Sequence, residues 1–195
     1  MSDNISAKLK QTIRTVPDFP IEGIMFRDIS PILSDGVLLR EITEKFVQII
    51  QENNWKPELI LGPESRGFIF GSLLASRLGI GFIPVRKPGK LPHSTIEIEY
   101  SLEYGTNKLE MHADAISTGQ KIIIIDDLLA TGGTVEACFK LCNKLGGEVI
   151  SNLFVIELEG LGAIEKLAPI PCICLLYTSD AADDTPCVDL GGRRI

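Results

Sequence analysis

Thirteen residues in the second half of the chain, Ile122-Ile-Ile-Ile-Asp-Asp-Leu-Leu-Ala-Thr-Gly-Gly-Thr134, restrict the fold more than any other stretch. Lys121-Ile-Ile-Ile-Ile125 is β-branched and apolar at every position after the lysine, so both faces of a strand built from it must be covered. The centre of a parallel sheet provides that environment. The flanking segments agree with it. Leu39, Ile42, Phe46 and Ile49 recur at three- and four-residue spacing in Gly36 to Gln51, an amphipathic helix with Ser34 and Asp35 placed to cap its start. Leu59-Ile-Leu-Gly62 reads as a buried strand, Gly67 to Leu78 as a helix stopped by Gly79, and Phe82 to Val85 as a strand. Strict alternation in Ile96 to Tyr100 and in Leu109 to Met111, with Gly105-Thr-Asn between, predicts an exposed hairpin arm. Gly133 to Leu145 follows as a helix with Val135, Cys138, Phe139, Cys142 and Leu145 inward, and Val149 to Leu158 as the next strand. The order βαβ, hairpin, βαβ implies an α/β fold with a mostly parallel sheet flanked by helices. Such sheets bind ligands at the carboxyl ends of their strands.

Charge narrows the function classes. Nineteen Lys and Arg against 26 Asp and Glu leave a net charge of −7, which offers no broad basic face for nucleic acid. An anion site must then be local and built from particular loops. Met1-Ser-Asp-Asn-Ile-Ser-Ala-Lys lacks the basic start and apolar stretch of a secretory signal, so a cytoplasmic location is expected. Gly67 to Val85 is apolar enough to suggest a membrane span, but Arg77, Gly79, Gly81 and Pro84 interrupt it, and no membrane association is expected. The five cysteines imply no disulfide framework in a reducing compartment, and neither Cys138 with Cys142 nor His93 with His112 completes a metal-ligand pattern.

The chemistry concentrates where the central strand ends. Asp126 and Asp127 leave the strand side by side, and Thr131-Gly-Gly-Thr134 leads into a helix N-terminus whose free amides and hydroxyls form a nest for a phosphate. No Gly-Lys-Ser/Thr ending and no G-x-G-x-x-G is present, which sets aside the P-loop and the dinucleotide fingerprint. Two carboxylates would repel a polyphosphate unless they hold hydroxyls or a metal. A ligand with a phosphate at one end and a vicinal diol beside it satisfies both halves, and ribose 5-phosphate is such a ligand. Taken alone, the Asp-Asp pair is ordinary punctuation of an α/β sheet; the full run is not.

Ile122 to Thr134 resembles the phosphoribosyl pyrophosphate signature of the type I phosphoribosyltransferases, and its Leu-Leu-Ala-Thr-Gly-Gly-Thr form is similar to the adenine-specific branch. Four more segments agree in order: Phe19-Pro-Ile-Glu-Gly-Ile-Met-Phe-Arg-Asp28, Gly62-Pro-Glu-Ser-Arg-Gly-Phe68, Arg86-Lys-Pro-Gly-Lys-Leu-Pro92 and Tyr100-Ser-Leu-Glu-Tyr-Gly105. The resemblance implies one domain over residues 1–176, with an N-terminal hood segment and a flexible hairpin lid. Tyr177 to Ile195 departs from the family and, being polar and without periodicity, is expected to be a disordered or foreign tail. By resemblance, the reaction joins adenine to phosphoribosyl pyrophosphate, giving AMP and pyrophosphate, with Mg²⁺ accompanying the pyrophosphate rather than a dedicated protein metal site. Ala130, Thr131, Gly132, Gly133 and Thr134 would take the 5-phosphate and Asp126 and Asp127 the ribose hydroxyls. Arg66, Lys87 and Lys90 would meet the pyrophosphate. Phe26 would stack on adenine, main-chain groups of Met25 and Arg27 would read its edge, and Leu128 would close the other face. Glu103 on the lid would take the proton from purine N9 while Tyr104 helps exclude water. A homodimer is implied in the same way. A purine-responsive regulator of the same fold, or an enzyme for another base, remains open at this point.

Overall fold

The computed structural model describes residues 2–101 and 106–178. The chain opens with helix α1 (Ser2–Thr12), short antiparallel strands β1 (Arg14–Val16) and β2 (Phe26–Asp28), and one helical turn, α2 (Ser30–Leu33). There follow α3 (Gly36–Glu52), β3 (Leu59–Pro63), α4 (Arg66–Leu78) and β4 (Gly81–Val85). Strands β5 (Thr95–Ser101) and β6 (Thr106–His112) form the arm. The chain then runs through β7 (Lys121–Leu129), α5 (Gly133–Lys144), β8 (Glu148–Leu158), α6 (Ala163–Leu167) and β9 (Cys172–Thr178). The main sheet has the order β4-β3-β7-β8-β9, and every pairing in it is parallel.

The central position of β7 follows from its side chains. Ile123 and Ile125 enter the core on one face with α3 and α4, Ile122 and Ile124 the core on the other with α5, and all four are fully buried. A strand with polar residues on either face could not occupy this place. Asp35 alone caps α3, its Oδ1 accepting from the amides of Val37 and Leu38 at 2.9 and 3.0 Å; the Ser34 hydroxyl instead donates to the Pro31 carbonyl. Gly79 ends α4 in the left-handed region at φ 70°, as its place after the last apolar residue predicts.

Several expectations need correction. The inner face of α5 is Val135, Ala137, Cys138, Leu141 and Cys142; Phe139 and Leu145 are only partly buried at the edge of that cluster. The arm is not exposed throughout. Leu109 and Met111 are buried, Ile96, Ile98 and Tyr100 pack against the same cluster, and the Lys144 ammonium donates to the Glu97 carbonyl at 2.8 Å. Thr106 and Asn107, read as turn residues, pair with Ser101 and Tyr100 and belong to β6. The N-terminal elements α1, β1, β2 and α2 went unread. Strand β9 continues to Thr178, two residues past the expected end of the domain, and the remainder of the expected tail lies outside the described residues. Among the described residues no helix is long and apolar enough to cross a membrane.

Candidate functional site

The site forms where β7 outruns its neighbour. Strand β3 pairs only with Ile122 to Ile124, so the next residues of β7 face the N-terminus of α4 instead of another strand. The approach is close. A Cβ on Gly67 would stand 3.0 Å from the Ile125 carbonyl and 3.1 Å from Asp126 Oδ1, so glycine is required for α4 to reach the carboxylates. Arg66, the first residue of α4, is delivered by this packing: its Nε lies 2.9 Å from Asp127 Oδ2, and its guanidinium carbon lies 5.9 Å from the centre of the Phe26 ring. Phe26 is half-buried in β2 and meets Phe19 edge to face at 5.1 Å. Three expected site residues from distant parts of the chain are thus in one cluster.

The two carboxylates share an unfavourable environment. Asp127 is 3% exposed, and its amide donates to Asp126 Oδ1 at 2.9 Å. Burial pushes the Asp126 carboxyl well above its usual range, and the neighbouring Asp127 charge adds to the effect. Burial also raises Asp127, with the Arg66 charge opposing it. Arg66 approaches off line, so Asp127 Oδ2 is buried with no hydrogen-bond donor among the described residues. A hydroxyl-bearing ligand would supply one.

Beyond the carboxylates, Asp126 and the run from Leu128 to Val135 line a cavity of about 90 Å³. Gly132, at φ 74°, turns the chain in the left-handed region and lets its carbonyl accept the first helical bond of α5 from Glu136. The amides opening α5 then face the cavity end, where a helix has no internal acceptors for them. Ala130, Thr131 and Thr134 are partly buried and Gly132 and Gly133 buried, the arrangement expected of an anion nest. Leu128 is partly buried on β7; Met25 lies just before β2 and Arg27 follows Phe26 within it, the Arg27 guanidinium donating to Thr15 Oγ1 at 2.6 Å.

The remaining expected cations lie on the loop after β4. Lys90 Nζ donates to Glu64 Oε1 at 2.8 Å, whereas Lys87 engages Glu64 through its main-chain amide at 3.1 Å and leaves its side chain exposed. Glu64 and Arg86 are constituents the sequence reading passed over. Arg86 Nε donates to Glu64 Oε2 at 3.0 Å, and the Glu64–Ser65 peptide leading into Arg66 is cis. Burial would raise the Glu64 carboxyl, but the bonds from Lys90, Lys87 and Arg86 outweigh it and hold it below its ordinary value. The only sequence signal for Glu64 was its place inside Gly62-Pro-Glu-Ser-Arg66. Glu103 and Tyr104 lie outside the described residues, between β5 and β6.

Comparison with known proteins places this geometry. Residues 29–168 match the phosphoribosyl transferase domain. An adenine phosphoribosyltransferase of Thermotoga neapolitana is 51% identical over 159 residues, 82% of this chain and 92% of the relative. Among solved structures, the adenine phosphoribosyltransferase of Thermoanaerobacter pseudethanolicus superposes with a TM-score of 0.85 at 48% identity, covering 88% of this chain and 99% of that one. The Saccharomyces cerevisiae adenine phosphoribosyltransferase, crystallised with an imino-altritol bisphosphate and adenine, gives 0.85 at 39% identity, with 89% and 99% covered.

Proposed function

The chain belongs to the phosphoribosyl transferase domain family, in its adenine phosphoribosyltransferase branch, and from that premise we propose how its residues transfer the 5-phosphoribosyl group of phosphoribosyl pyrophosphate to adenine in purine salvage. The observation that carries the assignment of roles is the pairing of a buried, donor-less carboxylate oxygen on Asp127 with the Ala130 to Thr134 turn next to it. The 5-phosphate sits on the amides opening α5, where the helix dipole favours negative charge, and the ribose hydroxyls donate to Asp126 and Asp127. This fixes the sugar at both ends, with its anomeric carbon towards the hood.

Adenine stacks on Phe26, with main-chain groups of Met25 and Arg27 at its edge and Leu128 across the ring. Arg66, Lys87 and Lys90 stabilise the charge that grows on the departing pyrophosphate. Mg²⁺ fits as a companion of that leaving group. The substrate's phosphate oxygens and water would be its main ligands, as Mg²⁺ prefers. When bound, it neutralises the pyrophosphate. Glu103, carried by the arm between β5 and β6, takes the proton from purine N9, and Tyr104 keeps water from the sugar cation. The enzyme is a cytoplasmic homodimer in this reading. Adenine, phosphoribosyl pyrophosphate and Mg²⁺ incubated with the protein should give AMP and pyrophosphate. Folded protein that binds the sugar pyrophosphate yet makes no AMP would refute the catalytic reading.

A further inference from the structure

We propose that Glu64 is a positioning residue for the pyrophosphate half of the co-substrate, holding the cationic loop after β4 in its binding shape before the ligand arrives. The proposal rests on the reading above for the identity of that ligand. Glu64 holds the loop at three points. Its Oε1 accepts from Lys90 Nζ at 2.8 Å and from the Lys87 amide at 3.1 Å, and its Oε2 accepts from Arg86 Nε at 3.0 Å, with the carboxylate side chain only 7% exposed. Arg86 Nη1 closes the loop on itself by donating to the Lys90 carbonyl at 3.2 Å.

The far side of the loop is held by the arm. The Gly89 amide donates to Glu110 Oε2 at 3.1 Å, and Arg86 and Glu110 exchange two main-chain hydrogen bonds of 2.9 and 2.7 Å. Left to itself, a loop of Arg86-Lys-Pro-Gly-Lys90 would spread its three cations apart and would have to be ordered by its ligand, a cost that weakens binding. With Glu64 in place that cost is met in folding. The arrangement does not consume the cations. An ammonium retains donors after one such bond, as a guanidinium does, and the Lys87 side chain is not engaged by Glu64 at all. Glu64 can therefore hold the loop and leave its donors facing an anion. The residue is also two positions before Arg66, so one short segment sets both cationic groups, Arg66 against Asp127 and the loop against Glu64.

Glu64→Gln separates shape from charge, since the amide has the carboxylate's size and only one acceptor. Calorimetric titration with Mg-pyrophosphate should show roughly tenfold weaker binding, and the KM for phosphoribosyl pyrophosphate should rise by a similar factor. Ribose 5-phosphate affinity and the KM for adenine should stay within about twofold. Unchanged or tighter pyrophosphate binding by the folded variant would overturn the proposal, and so would an equal loss for ribose 5-phosphate, which a merely structural role predicts. If Glu64→Gln does not fold, Glu110→Ala decides. It removes the hold on the Gly89 amide, together with a charge near Lys108 on the arm, and should weaken pyrophosphate about threefold, and unchanged affinity would overturn the proposal. Wild-type protein that binds pyrophosphate but makes no AMP would refute the catalytic reading while leaving the titration of Glu64 intact.

Discussion

Asp127→Asn tests the diol assignment directly. The substitution is isosteric at a position only 3% exposed, so the volume that β7 and α4 enclose does not change. What changes is the acceptor. A hydrogen bond to a charged group is worth about 1.5–3 kcal/mol against roughly 0.5–1.5 for a neutral one, so a ribose hydroxyl should lose about 1–2 kcal/mol, or roughly 5- to 30-fold in affinity. A second consequence runs the other way. Arg66 loses the charged partner 2.9 Å from its Nε and, in the proposed role, would become a freer cation for the pyrophosphate. Measuring only the complete co-substrate would mix the two effects. Calorimetry should therefore use the halves: ribose 5-phosphate should bind about tenfold more weakly, and Mg-pyrophosphate equally well or better. Ribose 5-phosphate binding unchanged within twofold, in a variant with an unaltered melting curve, would show that the sugar hydroxyls do not meet Asp127.

Burial raises the Asp126 pKa, so the folded protein keeps that proton to a higher pH than the unfolded chain; the resulting stability is present below the unfolded carboxyl pKa of about 3.9 and is lost as pH rises through the folded value. Asp126→Asn should accordingly raise the ligand-free melting temperature at pH 7, by about 2–4 °C per kcal/mol recovered, with the gain fading near pH 4 in scanning calorimetry. Gly67→Ala should cost about 1–3 kcal/mol in chemical denaturation and depress activity, because its Cβ would stand 2.9 Å from the Pro63 ring and 3.0 Å from the Ile125 main-chain carbonyl. Glu103→Ala should lower single-turnover rates by roughly 10- to 10⁴-fold with little change in sugar affinity, and an unchanged rate would remove it from the mechanism. Adenine should exceed hypoxanthine by at least about 10³-fold in kcat/KM, since a pocket that accepts from the exocyclic amine faces acceptor with acceptor for the wrong base; discrimination under tenfold would sink the base assignment.

The legible parts of the fold were those whose local pattern and tertiary environment say the same thing. Ile122 to Ile125 demands cover on both faces and receives it. Among the described residues helix α1 offers only Ile5 and Leu9 as buried anchors, and β1 and β2 are three residues each, so neither period could register. Strand β9 fills the edge of β8 and buries Cys174, Leu175 and Leu176 there. The site divides in the same way. The turn from Ala130 to Thr134, proposed for the phosphate, is contiguous with the strand that positions it, and it could be read from one run of letters. The Glu64 contacts join residues 22 and 26 positions apart, and nothing short of the parallel pairing of β3 with β4 brings them together.

An acidic protein that must bind a polyanion faces an electrostatic conflict, and the pairings at this site resolve it locally. Cations left bare beside the cleft would repel one another, and carboxylates buried without partners would pay heavily for desolvation. Here the Arg66 guanidinium stands against Asp127, and Arg86 and Lys90 share Glu64, so the pairings offset part of the charge while the loop stays cationic. In the proposed roles, the diol would relieve the counter-charge that holds Arg66. Sugar hydroxyls donating to Asp126 and Asp127 would replace part of the stabilisation that Arg66 gives those carboxylates and so would free its guanidinium for the pyrophosphate. Binding of the diol and of the pyrophosphate should thus reinforce each other through Arg66, and the coupling should vanish when Arg66 is replaced by Gln.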